Sequence, residues 1–209
     1  MLKPILLACS VLISTVVSAA TATNIANEAE KVSPLMPGLM VPATTLKDKD
    51  GNNVVLSKRF AEKTTVLIVY RGGWCPYCSK QLASIQNIEQ QIADLGAQII
   101  AVSPDSPEKL AESKIDSPNY QLLSDDSLTL SQALGLAFYL DDKTATIYRN
   151  KLGVNFVSLD GKAKVALPVP AVFVVDKKGL VNFQYANPNY KVRLTENLLL
   201  AAVKSVAEQ

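Results

Sequence analysis

Histidine is absent from this 209-residue chain. That excludes every catalytic couple of the Ser–His or Cys–His kind and every metal site with imidazole ligands. Acid–base work falls to carboxylates, Lys, Tyr, Cys or water. Cysteine is scarce, with three residues, and tryptophan scarcer, with one. So few cysteines exclude a scaffold stapled by disulfides. Neither sign of charge dominates, since 21 basic residues face 19 acidic ones for a formal charge of +2. Nothing electrostatic therefore favours a nucleic-acid partner. Tandem repeats and low-complexity tracts are missing as well. What remains is 48% hydrophobic and 19% charged, which suits a packed core and argues against disorder.

Met1-Leu2-Lys3 precedes an apolar run from Ile5 to Val17, and small residues follow at Ser18-Ala19-Ala20. This is the layout of a secretory signal peptide over residues 1–20. An uncleaved anchor or a buried N-terminal helix is the competing reading, and Leu6-Leu7-Ala8-Cys9 loosely resembles a lipoprotein box. The apolar stretch is too short for a stable membrane span. Export implies an oxidising compartment, most simply a bacterial periplasm. Cys9 leaves with the leader, so Cys75 and Cys78 become the cysteines of the mature chain. Residues 21–35 read as a linker or frayed helix, and 36–209 as one domain.

Within that domain, Leu46 to Leu56 reads as two short strands around Asp50-Gly51. Val66-Leu67-Ile68-Val69-Tyr70 is a near-continuous apolar run, the pattern of a strand buried on both faces. Leu82, Ile85, Ile88, Ile92 and Leu95 recur at helical spacing, which predicts one helix over 79–95 stopped by Gly96. Ala97–Val102 is the next strand, and strand–helix–strand makes a right-handed crossover between parallel strands. Ser106-Pro107 opens a helix, Tyr120–Leu123 is strand-like, and Asp126 is placed to cap a helix running to Leu134. Residues 136–168 hold an Asp160-Gly161 turn and one hairpin, with nothing else assigned. Ala171–Val175 and Leu180–Tyr185 form a hairpin about Lys177-Lys178-Gly179, and a helix from about Lys191 to Val206 closes the chain.

Chemistry concentrates in Trp74-Cys75-Pro76-Tyr77-Cys78, at the junction of the buried strand and the amphipathic helix. A cysteine at a helix N-terminus faces unpaired backbone N–H groups and the positive dipole end, and both favour a thiolate. Cysteines so placed have pKa values of roughly 3.5–7.5, against ~8.5 unperturbed. Cys78 lies one turn on, so Cys75 is the expected nucleophile and Cys78 the resolving thiol. Pro76 is tolerated in a first turn that needs no donor. Arg71 either adds positive potential near Cys75 or is a solvated surface residue. Trp74 is either a contact platform or core. A static bridge, or half of a zinc site completed by a second chain, are the competing readings of the motif.

Taken together, these residues resemble the thioredoxin-like superfamily, and within it the peroxiredoxin-like (alkyl hydroperoxide reductase/thiol-specific antioxidant) branch, over roughly residues 35–205. Trp74–Cys78 looks like thioredoxin and glutaredoxin. Val102-Ser103-Pro104-Asp105-Ser106-Pro107 and Leu122-Leu123-Ser124-Asp125 look like peroxiredoxins. The resemblance implies an α/β, thioredoxin-like fold, with a central mixed sheet flanked by helices and a peroxiredoxin-type N-terminal hairpin. It also implies a cis-proline facing the cysteines, assigned to Val169–Pro170, whose backbone would receive an extended substrate strand. Departures are equally specific. Counting from Cys75, the peroxiredoxin Thr falls on Gly72 and its Pro on Ile68, while the family's later Arg falls on Pro170. The buried Asp of thioredoxin falls on Val69.

The leading expectation is an exported thiol oxidoreductase cycling a Cys75–Cys78 dithiol and disulfide, with a thiol or disulfide protein as partner. The alternative is a peroxidase acting on hydroperoxides and recharged by an external thiol reductant. A non-enzymatic module using the two cysteines for metal or protein contact is the third. No cofactor beyond the Cys75–Cys78 pair, and no metal, is expected.

Overall fold

The computed structural model describes residues 25–113, 117, 119–152 and 164–208. The proposed leader, its cleavage site and the Asp160-Gly161 turn lie outside them. Nine strands are present among these residues: β1 Thr45–Lys47, β2 Asn53–Val55, β3 Thr64–Val69, β4 Ala97–Ser103, β5 Tyr120–Ser124, β6 Ala137–Tyr139, β7 Ala166–Pro168, β8 Ala171–Val175 and β9 Val181–Ala186. Seven form one mixed sheet in the order β2-β1-β5-β4-β3-β8-β9. β3 runs parallel to β4 and β4 parallel to β5, whereas β8 pairs antiparallel with β3 and β9. β1 and β2 pair antiparallel as the expected N-terminal hairpin, with Asp48 accepting the N–H groups of Asp50 and Asn52 in its turn.

The unbroken apolar run of β3 follows from its central place. Val66 and Ile68 face one core, and Leu67 and Val69 the other. Each such side chain contributes ~1.5–3 kcal/mol by leaving water. On the first face the cover is α2 (Pro76–Gln86), α3 (Glu89–Asp94) and α7 (Glu196–Ala207), through Leu82, Ile85, Ile92, Leu199 and Val203. On the second it is α1 (Leu56–Glu62) and α5 (Thr129–Ala133), through Leu56, Phe60 and Leu130. α4 (Pro107–Ala111) follows β4, as its Ser-Pro start suggests. Among the described residues no helix is long and apolar enough to cross a membrane.

Several elements differ from the sequence pattern. The single helix expected over 79–95 is two, because Ile88 leaves helical geometry at φ −107° and its N–H takes an i→i−3 bond to Ile85. Asn87, a residue that favours helix ends, sits at the break. The last helix begins at Glu196 rather than Lys191, with Thr195 extended before it. The helix after β5 is capped by Asp125, not Asp126: its carboxylate accepts the N–H groups of Leu130 and Ser131 and the Ser131 hydroxyl. Leu128, at φ +56°, supplies the left-handed turn that brings those donors round. Asp126 instead pairs with Lys47.

Residues 136–168 contain β6 and β7, paired antiparallel, and α6 (Asp142–Leu152) between them in sequence. This unit packs over the cysteine end of the sheet. Residues 25–35, expected as a linker, are tied to it and to the loop after α5. Ala26 N–H donates to Ala137 O, Tyr139 N–H to Ala26 O, and Ser33 N–H to Gly135 O.

Candidate functional site

Cys75 is the N-cap of α2, Pro76 its first helical residue, and Cys78 lies in its first turn. β3 and β4 both end at this edge of the sheet, where open α/β sheets place their sites. Both sulfurs are present as free thiols and both residues are buried, at 1% and 0% exposure. Tyr77, between them, is 40% exposed and meets Tyr190 edge-on at 5.7 Å.

The two thiols are chemically unequal. The Cys78 thiol donates a hydrogen bond to the Cys75 sulfur, and this, against the opposing effect of burial, lowers the Cys75 pKa to about 6. The Cys78 backbone N–H and the charges of Arg71 and Arg193 act in the same direction. Cys78, as the donor, is pushed far up, by that bond, by burial and by the neighbouring anion. Cys75 is thus the thiolate and Cys78 the reserve proton holder.

Arg71 is not a surface residue. It is 4% exposed, and its guanidinium lies 4.3 Å from the Tyr190 ring centre, 5.2 Å from Trp74 and 5.6 Å from Tyr148. Nη2 donates to the Tyr148 hydroxyl at 3.2 Å. Rings around a guanidinium shield it from water without neutralising it. Trp74, half-buried, packs on the core and meets Tyr148 edge-on at 5.3 Å, in line with the core reading of the sequence.

Arg193 was not singled out by sequence, being counted within the last helix. The structure leaves it in the loop before α7, where Nη1 donates to Gln81 Oε1 at 2.9 Å and Nη2 to Cys78 Sγ at 3.3 Å. The Thr195-Glu196 helix start was the available signal. Asp105 is the other addition. Just past β4, its buried carboxylate accepts Gly73 N–H at 2.7 Å and the Ser103 hydroxyl at 3.0 Å, and burial raises its pKa.

Val169–Pro170 departs from expectation. No cis peptide bond occurs among the described residues, so this one is trans. The β3–β8 register, with Val69 opposite Ala171, does bring Pro170 to the cysteine end of the sheet. Yet Val169 N–H donates to Leu136 O at 2.9 Å, and Asn187 N–H donates to Pro170 O at 3.4 Å. Leu136, just before β6, and Asn187, just after β9, have taken groups that an incoming strand would need.

Gly72, where a peroxiredoxin Thr would fall, has φ +134°, and a Cβ there would lie 2.4 Å from Trp74 Nε1 and 2.8 Å from Asp105 Oδ1. The site has no room for a threonine. Cationic groups come instead from Arg71 and Arg193. Among the described residues no group of three or more Cys, Asp or Glu side chains is placed to hold a metal ion.

Residues 37–184 match the model of the AhpC/TSA family. Among curated proteins, the chain is 31% identical over 162 residues to the chloroplastic peroxiredoxin Q of Suaeda salsa, covering 77% of this chain and 64% of that protein. It is 33% identical over 106 residues to a putative peroxiredoxin of Mycobacterium tuberculosis, covering 50% and 67% respectively. The match therefore spans about two thirds of the length of these relatives. Among solved structures, peroxidoxin BcpB of Mycobacterium tuberculosis superposes with a TM-score of 0.62 at 20% identity, over 82% of this chain and 98% of that one. Reduced Prx3 of Vibrio vulnificus in complex with hydrogen peroxide gives 0.63 at 19% identity, over 84% and 99%.

Proposed function

This chain belongs to the AhpC/TSA family, and from that premise we propose that it is a thiol-dependent peroxidase with an antioxidant role. The carrying observation is the Cys75 thiol at the N-terminus of α2, its pKa lowered to about 6 by the hydrogen bond from Cys78, with the charges of Arg71 and Arg193 acting the same way. The thiolate attacks one oxygen of a hydroperoxide. The O–O bond breaks, the sulfur is oxidised to a sulfenic acid, and the alkoxide or hydroxide leaves as an alcohol or water after taking a proton. Arg71 stands close enough to offset negative charge at this stage. Cys78 then closes a disulfide with Cys75, and an external thiol reductant restores both thiols by exchange.

Peroxide is favoured over a protein disulfide as the oxidant because Val169 N–H and Pro170 C=O are already bonded. A buried nucleophile also suits a small substrate better than a chain. Disulfide exchange at the Cys-Pro-Tyr-Cys motif is the second reading, favoured by the presence of both thiols in one helical turn. The leader-like residues 1–20 support action outside the cytoplasm. Stopped-flow mixing with hydrogen peroxide and with cumene hydroperoxide tests the peroxidase. The reduced protein should consume at least one of them about a thousandfold faster than free cysteine, and Cys75→Ser should not. A rate equal to that of free thiol rejects this function.

A further inference from the structure

The peroxide step leaves a chemical problem at the second sulfur. Cys78 is the less acidic thiol, yet it must become a nucleophile as soon as Cys75 is oxidised. With no histidine in the chain, no imidazole can deprotonate it. Arg193 Nη2 nevertheless donates to Cys78 Sγ at 3.3 Å, and the Arg71 backbone N–H also favours an anion there. A guanidinium keeps its proton at any working pH and accepts nothing, so its natural partner is an anion. Arg193 does not reach this place by chance of a floppy side chain, because Gln81, one turn after Cys78 on the same helix and itself buried, takes Nη1 at 2.9 Å.

We propose that Arg193 is the catalytic residue of the disulfide-closing step, stabilising the Cys78 thiolate that attacks the oxidised Cys75 sulfur, with Gln81 as its positioning residue. The order of events follows from charge. While Cys75 is a thiolate, its negative charge and its demand for a donor keep the proton on Cys78. Oxidation to the neutral sulfenic acid removes both. What then faces Cys78 is the Arg193 guanidinium and the Arg71 N–H, and both favour the anion. The Cys78 sulfur forms the S–S bond, the S–O bond of Cys75 breaks, and the departing hydroxide combines with the proton released by Cys78 to give water. Two thiol sulfurs have then lost two electrons to one peroxide. One element thereby delays the second nucleophile until the first has reacted.

The inference rests on the peroxidase reading for its oxidant but not for its chemistry, since a glutathione mixed disulfide on Cys75 poses Cys78 the same task. The test uses full-length protein with either hydrogen peroxide or oxidised glutathione, comparing Arg193→Ala, Arg193→Lys and Gln81→Leu. Rapid-quench alkylation and mass spectrometry separate the first adduct on Cys75 from the closed disulfide. In Arg193→Ala, closure should slow about tenfold or more, as for loss of a charge-assisted hydrogen bond, and clearly more than formation of the adduct, which loses only the more distant charge of Arg193 on Cys75. The pH profile of closure should move to higher pH, Arg193→Lys should recover part of the rate, and Gln81→Leu should fall between. Equal slowing of both steps, or a pH profile of closure that stays where it is in the wild type, overturns the proposal. If wild-type protein ignores peroxide but closes on glutathione with the same dependence on Arg193, the peroxidase function falls and the role of Arg193 stands.

Discussion

Gly73 donates its backbone N–H to the Asp105 carboxylate at 2.7 Å. That bond ties the loop entering α2 to the loop leaving β4, across the two parallel strands at the centre of the sheet. Ser103 holds the same carboxylate oxygen from below, so the acceptor is fixed before the cysteine loop reaches it. The position of the Cys75 sulfur is set in this way by a residue thirty positions downstream.

Removing the acceptor should loosen the loop. Asp105→Ala leaves the Gly73 N–H without its partner, at a cost of about 1–3 kcal/mol. Chemical denaturation should show that loss, and amide exchange at Gly73 should accelerate. An unchanged exchange rate would contradict the tie.

Gly72 admits no side chain. Gly72→Thr, which restores the residue type seen in the peroxiredoxin pattern, combines an unfavourable φ with contacts of 2.4 and 2.8 Å to Trp74 and Asp105. The variant should be less stable by roughly 2 kcal/mol or more and slower with peroxide. A faster, equally stable protein would show that the loop can rearrange.

The acidity of Cys75 should be readable by alkylation. With a pKa of about 6, its iodoacetamide reactivity should be nearly flat above neutrality and fall tenfold per pH unit below 6. Cys78→Ala deletes the thiol that donates to it, so the midpoint should climb toward ~8.5, the ordinary thiol value. A midpoint common to both proteins would remove Cys78 from this role.

Arg71 should matter to both charge and packing. Arg71→Lys keeps a cation but loses the flat contact with Tyr190 and the bond to the Tyr148 hydroxyl. A stability loss of about 1–3 kcal/mol is expected. Trp74, the chain's one tryptophan, lies against the same guanidinium, so its emission should change in this variant and between thiol and disulfide forms. Identical spectra in all three would place Trp74 outside the coupled cluster.

Asp125 should give the fold a pH slope. Burial raises its carboxyl to about 6, against donated bonds from Leu130 and Ser131 that favour the anion. The unfolded value is ~3.9. The folded state therefore holds more protons between pH 4 and 6, and this residue's contribution to stability falls as pH rises through that window, by on the order of 2–3 kcal/mol. Asp125→Asn, although weaker overall through its poorer acceptor, should lose that slope. Unfolding free energies at pH 4, 5, 6 and 7 decide it, and parallel curves for the two proteins would refute it.

The legible parts of this molecule are those with short-range causes. β3, β4 and β8 announce themselves because a strand covered on both faces needs apolar residues at every position. The Cys75–Cys78 pair announces itself because a proline at the first helical position and a cysteine before it are local requirements of a helix start. The break at Ile88 and the late start of α7 were hidden, since apolar spacing continues through a kink and a charged residue such as Arg193 fits either a helix or a loop. The trans bond before Pro170 was hidden for another reason: what matters there is which neighbour uses the Val169 N–H, and that neighbour, Leu136, lies 33 residues away.

Sequence by itself determined that two thiols stand at a strand-to-helix junction and that no imidazole serves them, because composition and nearest-neighbour spacing suffice for both. Tertiary structure alone decided which side chains surround that pair. Arg71 is enclosed by rings from positions 74, 148 and 190, and Arg193 arrives from 115 residues beyond Cys78. Charge acts through space at a few ångströms, so the partners of a buried thiolate are chosen by folding and not by adjacency along the chain.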